Sequence, residues 1–294
     1  MKIFLVVLFA IFPILFSCSS KQITDKEIVG QSTGSFPMRR LAWMEGDIQN
    51  DYQPDRKVAE EKLQEFKNKI PEMVETDAYL EYLSVLDTSG KSIEAEKKTK
   101  LYLASHPQEK RAVFLLGVHY LRIKKKELAL HFFRGLENDK TFAWKSLLFN
   151  NMGMLALQEK NRREAIDYFE RATKVEPLTA APFVNLGALY LQSRSYNEAY
   201  RLFARATSID EGFEDAYLGL GASLEGLGKF EEAHGIYAQH IDKNPNALSV
   251  LYNDSIILGN RLKRRDEAAQ QLLRYIQRGG KETAKAHEII QGWR

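Results

Sequence analysis

Histidine and cysteine are the residues of this chain whose side chains most often carry catalysis or bind metals. The histidines are His106, His119, His131, His234, His240 and His287, and Cys18 is the only cysteine. No two histidines have the i, i+4 spacing that presents a metal site on one helix, and a single cysteine cannot form a disulfide within the chain. The sequence therefore predicts no catalytic set and no bound metal.

A glycine-rich run at residues 219–228 is the one stretch that could cradle a phosphate group. It lacks the spacing of either phosphate-binding loop, and no strand pattern precedes it, so we predict no nucleotide cofactor. The formal charge is only +3, with 42 basic and 39 acidic residues. This balance argues against a nucleic-acid partner, since binding to a phosphate backbone requires concentrated Lys and Arg.

The first residues differ from all that follow. Lys2 precedes an apolar run at 3–16, which is too short for a membrane-spanning helix of about 20 residues and is typical of a signal-peptide core. The run ends in Leu15-Phe16-Ser17-Cys18, which resembles the lipobox of bacterial lipoproteins except at Phe16, where a small or branched residue is usual. The resemblance implies removal of residues 1–17 and lipidation of Cys18. An ordinary cleaved signal or an uncleaved anchor is the alternative.

Residues 18–54 are polar and mixed, which is typical of a tether between an anchor and a folded domain. One small apolar group interrupts the tether, and it consists of Phe36, Met38, Leu41, Trp43 and Met44. This group either docks on the first helices of the domain or lies at a membrane surface.

The rest of the chain is organised by a repeat. Gly153, Gly187 and Gly221 are 34 residues apart, and an alanine follows each glycine twelve residues later. Aromatic residues lie four positions before each glycine and four after each alanine. A period of this length indicates stacked supersecondary units, none of which can bury its apolar face alone.

Each unit contains two helical patterns separated by a short polar break. The break carries helix-start signals, because Asn161 lies three residues before Glu164, and Ser195 lies three before Glu198 in a capping box. We therefore predict helix hairpins whose glycine and alanine let the two backbones approach closely.

At these residues the sequence resembles the tetratricopeptide repeat family. Residues 150–177 match its consensus at Met152, Gly153, Ala165, Phe169, Ala172 and Pro177. The resemblance implies an all-α, superhelical solenoid of antiparallel hairpins with five to six repeats. The next two units depart from the consensus at Glu211, where proline is usual, and at His240, where alanine is usual.

The repeat register sets the predicted boundaries. After a helix at 55–75 we place a degenerate repeat at 76–109, repeats at 110–145, 146–179, 180–213 and 214–247, a degenerate repeat at 248–282 and a capping helix at 283–294. The second repeat has two extra residues, which we place in the turn at 138–142. The last repeat has one inserted residue between Ser255 and Ala268.

The resemblance also implies where a partner binds, since first helices line a concave groove in this family. The position two before the repeat glycine, often a peptide-contacting asparagine, holds Asn151, Asn185 and Asn253, although asparagine is also simply common there. Nearby groove positions hold Phe114, Met154, Val184, Leu191 and Tyr252. They predict a partly apolar groove for a helix or an extended apolar segment.

Two classes of function fit these features. The first is a lipid-anchored scaffold that binds another envelope protein and serves pilus secretin assembly, gliding or cell-wall machinery, as similar lipoproteins do. The second is a regulatory subunit of a periplasmic enzyme, or an enzyme domain within the first 75 residues, which contain little core-forming sequence. Ser19 stands where an aspartate retains some lipoproteins in the inner membrane, so in a two-membrane cell we expect the outer membrane, facing the periplasm.

Overall fold

The computed structural model describes residues 60–61, 63–64, 66, 77–175 and 179–293. Its helices are α1 (Asp77–Thr88), α2 (Ser92–Ser105), α3 (Lys110–Arg122), α4 (Lys126–Glu137), α5 (Lys145–Gln158), α6 (Arg162–Val175), α7 (Ala181–Gln192), α8 (Tyr196–Ile209), α9 (Glu214–Gly226), α10 (Phe230–Lys243), α11 (Leu248–Ile256), α12 (Arg265–Gln277) and α13 (Thr283–Trp293). A π-helical segment, Ile257–Arg261, continues α11. The described residues do not include Cys18, the predicted tether or most of the predicted helix at 55–75.

The predicted all-α repeat fold is confirmed, because every regular element in the described ranges is helical. The helices form two compact units, one containing α1 to α6 and the other α7 to α13. In each unit consecutive helices pair as hairpins, and each odd-numbered first helix also contacts the first helix of the neighbouring hairpin.

Each regular hairpin is built on a contact between the repeat glycine and a second-helix aromatic ring. A Cβ atom on Gly153 would lie 2.6 Å from Cε1 of Phe169, and one on Gly221 would lie 2.1 Å from Cζ of Tyr237. Both rings are fully buried. The missing side chain therefore creates the space that the aromatic ring fills, which explains why glycine and ring recur together.

The two predicted helix-start signals have different outcomes. Asn161 accepts a hydrogen bond from the Glu164 N–H at 3.3 Å and donates to the Glu164 carboxylate at 2.6 Å, so it caps α6. Ser195 makes no such bond, and the predicted capping box is wrong. Its backbone has ψ 67° rather than the extended value that favours capping, and its side chain is shorter than that of asparagine.

The irregular repeats absorb their extra residues in different ways. The connection between α4 and α5 spans 138–144, whereas that between α8 and α9 spans only 210–213, so the second repeat is lengthened in the turn where the sequence places its extra residues. The inserted residue of the last repeat widens the first helix into the π-helical segment. Gly259 of this segment packs against Trp293 of α13, whose Nε1 donates to Asn260 at 3.0 Å.

The degenerate first hairpin is joined to α3 by a buried charge cluster. Asp87 accepts hydrogen bonds from His119 Nδ1 at 2.7 Å and from Arg122 Nε at 2.8 Å, and it is only 6% exposed. Burial alone raises the pKa of Asp87, but the hydrogen bonds and charges of His119 and Arg122 outweigh it and hold the pKa below its usual value. The cluster ties two hairpins together through charge rather than through apolar packing.

We expect Gly221→Ala to lower the free energy of unfolding by about 1 to 3 kcal/mol, because the new methyl group overlaps the buried Tyr237 ring. Gly235→Ala is the matched control within a helix, since a Cβ there meets no atom within 4 Å. It should raise stability by up to about 1 kcal/mol through helix propensity. Denaturant unfolding followed by circular dichroism measures both changes, and equal effects would contradict the packing argument.

We expect Asp87→Asn to destabilise the protein by about 3 to 5 kcal/mol at neutral pH, because the change leaves Arg122 without its buried counter-charge. A carboxylate with a lowered folded-state pKa stabilises the fold above its unfolded-state pKa, and this contribution is lost as pH falls through the folded-state pKa. The gap between wild type and variant should therefore shrink as pH falls below about 4.

Urea unfolding at pH 7 and at pH 3 measures this gap. Asp167→Asn provides the control, because Asp167 is 68% exposed and forms its ion pair with Arg171 at 3.8 Å. That variant should change stability little at either pH. A pH-independent gap for Asp87→Asn would show that the ionised carboxylate does not stabilise the cluster.

Candidate functional site

The eight residues predicted to bind a partner share one stripe of the first helices. Their positions are counted from the repeat glycine, or from Ser255 in the last repeat. Each of the eight residues lies three or two positions before that residue, or one or four positions after it. Residues at these spacings lie on one side of a helix, and we call this side the inner stripe. Phe114, Asn151 and Met154 belong to the first unit, and Val184, Asn185, Leu191, Tyr252 and Asn253 belong to the second.

The inner stripe is buried, which differs from the open groove that the sequence suggests. None of the eight predicted residues is more than 4% exposed. In α5 twelve consecutive residues, 146–157, are buried, so every side of this helix is covered. A partner can reach these side chains only where the stripe becomes accessible.

The asparagine amides are partly used inside their own helices. The Asn151 Nδ2 donates to the Leu147 carbonyl at 2.8 Å, and the Asn253 Nδ2 donates to the Ser249 carbonyl at 2.9 Å. In contrast, Oδ1 of Asn151 is buried and accepts no hydrogen bond from the part of the chain that the structure describes. The Oδ1 of Asn151 is therefore available to accept a hydrogen bond from a donor N–H of a partner.

The sequence analysis did not identify one charged residue of the inner stripe, Glu225. Glu225 lies four positions after Gly221, where the three preceding repeats have Leu121, Leu157 and Leu191. Its side chain is 7% exposed and lies 3.4 Å from the Arg261 guanidinium. Burial raises the pKa of Glu225, and Arg261 only partly opposes this. Comparison of the repeats at this position could have identified the glutamate.

Another of the scattered histidines, the partly exposed His234, pairs with a buried aspartate. His234 Nδ1 lies 2.7 Å from Asp254, which also accepts a bond from Gln271 Nε2 at 3.1 Å. The hydrogen bond to Asp254 raises the pKa of His234. These contacts connect α10, α11 and α12, so we interpret the pair as structural.

Two other kinds of site were sought in the described ranges. No cluster of three histidine, cysteine, aspartate or glutamate side chains there could hold a metal ion. The described helices are also too short or too polar to cross a membrane.

Two family models, both described as tetratricopeptide repeat, match residues 150–212 and 190–251. Residues 150–251 are tetratricopeptide repeats. The glycine and aromatic contacts described above are the packing of these repeats. Proteins that carry them bind peptide or protein partners in a groove and are generally non-catalytic scaffolds.

Solved structures with similar repeats include PilF of Pseudomonas aeruginosa, which is 20% identical with a TM-score of 0.60 over 74% of this chain and 97% of PilF. A Cut9–Hcn1 complex is 15% identical with a TM-score of 0.59 over 91% of this chain and 50% of that one. YrrB is 19% identical with a TM-score of 0.50 over 65% of this chain and 96% of YrrB. These likenesses show the repeat fold alone, and no protein of curated function matches the chain.

Proposed function

We propose that the protein is a lipid-anchored scaffold that binds another envelope protein along its inner stripe and so supports assembly or regulation of an envelope complex. The observation that carries this proposal is the apolar inner stripe, which successive first helices repeat at the same position. Pilus secretin, gliding and cell-wall machines are the complexes in which such a scaffold would act. YrrB, described as having an unusual peptide-binding site, is a precedent for peptide binding by these repeats.

The chemistry of the stripe defines the segment that it would bind. In the first unit Phe114 and Met154 supply apolar surface, and the Asn151 Oδ1 supplies a buried acceptor. A helical or extended apolar segment with an available N–H group satisfies both features. Burial of apolar side chains would supply most of the affinity, and the amide would fix the position of the segment.

The proposed anchor is Cys18. Its support is the short apolar core at 3–16 and the lipobox-like ending, which lie outside the described residues. More than one acyl chain gives stable membrane attachment, whereas a single chain is marginal. In a two-membrane cell the proposed location is the outer membrane, facing the periplasm.

We expect the mature N-terminus to be an acylated Cys18, and mass spectrometry of the purified protein measures it. Cys18→Ala should prevent processing and acylation at this site. Membrane fractionation should then show loss of the acylated outer-membrane form. A mature mass that changes only by the substitution itself, with an unchanged membrane distribution, would contradict the proposed anchor.

We expect Asn151→Ala combined with Asn185→Ala to weaken partner binding about five-fold to a hundred-fold, since each net hydrogen bond contributes about 0.5 to 1.5 kcal/mol. The partner is first captured from solubilised envelopes and purified, and binding is then titrated against each variant. Asn197→Ala is the control, because Asn197 is exposed on a second helix. Lost folding with intact binding would show that the two asparagines are structural.

A further inference from the structure

The three turns inside the hairpins of the first unit lie side by side. They are residues 89–91, 123–125 and 159–161, which connect α1 to α2, α3 to α4 and α5 to α6. The Arg122 guanidinium beside the second turn donates to Ser92 Oγ beside the first, and the Lys126 ammonium pairs with Glu159 of the third. These contacts join each turn to the next, and we call this side of the first unit the turn edge.

The turn edge concentrates positive charge. Its three turns hold four lysines and one acid, whereas the connections at the opposite end of the same helices, 106–109 and 138–144, together hold one lysine and two acids. Five basic side chains at the edge are exposed and make no ion pair or hydrogen bond with any residue that the structure describes, and they are Lys91, Lys124, Lys125, Lys160 and Arg163. Their charge is therefore available to a binding partner.

Several of these cations occupy positions that local structure disfavours. Lys124 and Lys160 have φ values of 62° and 58°, a conformation that glycine adopts without steric cost, as Gly90 does in the first turn. Arg162 and Arg163 begin α6, where the helix dipole disfavours positive charge. Residues that break local preferences are expected where they serve a function. The turn edge is therefore a candidate site for an anionic partner.

A large apolar side chain lies beside these cations. Ile93 follows the first turn and is 87% exposed, more than any other large apolar residue in the described ranges. An apolar group next to basic residues matches a membrane interface, where phosphates adjoin acyl chains. The cations also lie on three turns about 10 Å apart, the usual separation of packed helices, so a plane of lipid headgroups can contact all of them. These features favour a membrane over an acidic protein.

We propose that the first unit binds a membrane of anionic phospholipids through its turn edge. Headgroup phosphates contact the cations of all three turns, and Ile93 enters the headgroup layer. Each basic residue near an anionic membrane strengthens binding about five-fold, so several turns together add appreciable affinity. The inference goes beyond the proposed function, because it uses the folded unit alone and requires no acyl chain.

The test uses the full-length Cys18→Ala chain, which cannot be acylated at position 18, and measures its sedimentation with lipid vesicles. The vesicles contain phosphatidylcholine alone or an equal mixture with phosphatidylglycerol. The chain should bind the anionic mixture at least about ten-fold more tightly. The N-terminal apolar run is the same in every variant, so differences between variants report the turn edge. Equal binding to the two kinds of vesicle would overturn the proposal.

Paired substitutions in the Cys18→Ala chain locate the binding surface. Lys124→Gly with Lys160→Gly removes two cations and relieves the backbone strain, so binding to the anionic vesicles should fall about 25-fold. Thermal melting followed by circular dichroism should show equal or greater stability. Lys140→Gln with Lys174→Gln is the control, because these exposed lysines lie at the opposite end of the helices. Equal loss of binding in the two pairs would show that net charge, and not the turn edge, drives binding.

The apolar contact has its own matched pair on α2. Ile93→Ser should weaken binding to the anionic vesicles at least about three-fold, because it removes the side chain that enters the headgroup layer. Leu101→Ser should leave binding unchanged, since Leu101 is 61% exposed but lies two helical turns further from the turn edge. If the two variants bind equally well, a membrane is the wrong occupant, and the cations serve an acidic protein.

The acylation measurement separates this inference from the proposed anchor. If Cys18 carries no acyl chain but vesicle binding depends on the turn edge, only the anchor is wrong. If Cys18 is acylated but phosphatidylglycerol does not strengthen binding of the Cys18→Ala chain, only the turn-edge inference is wrong.

Discussion

The contact between a repeat glycine and a buried aromatic ring sets the geometry of the regular hairpins. Phe169 and Tyr237 occupy the space where a side chain of Gly153 or Gly221 would lie. A ring against a bare backbone brings the two helices close over the middle of their length, and Gly153, Gly187 and Gly221 repeat this position every 34 residues. The inner stripe lies beside this contact on the first helix, at fixed positions relative to the repeat glycine. The proposed binding surface therefore depends on the packing of the hairpins.

The irregular hairpins replace this contact with other interactions. In the first hairpin Leu83 stands at the glycine position, and Asp87 with His119 and Arg122 joins the hairpin to α3. In the last hairpin the π-helical segment brings Gly259 against Trp293 of the final helix. Directional polar and aromatic contacts thus appear where the repeat packing is lost, as expected for end units that lack a regular neighbour on one side.

The composition of the inner stripe bears on how a scaffold of this kind remains soluble. Large exposed apolar patches favour association with other surfaces. Here Val184, Leu191 and Leu218 are buried, while Glu225 adds a carboxylate whose pKa burial raises. Burial of these side chains limits indiscriminate binding through the stripe.

Much of the fold could be predicted from the sequence, because a helix hairpin is specified by residues close together in the chain. The 34-residue spacing of Gly153 and Gly187 identified the repeat, and the cap at Asn161 depends on a residue only three positions away. The eight candidate binding residues could likewise be placed on one helical stripe from their spacing. Tertiary structure decided what those residues do. It buries the stripe, commits the Nδ2 group of Asn151 to its own helix and pairs Glu225 with Arg261, which lies 36 positions away. Periodicity assigns a residue to a side of a helix, but burial and charge pairing depend on what the rest of the chain brings to that side.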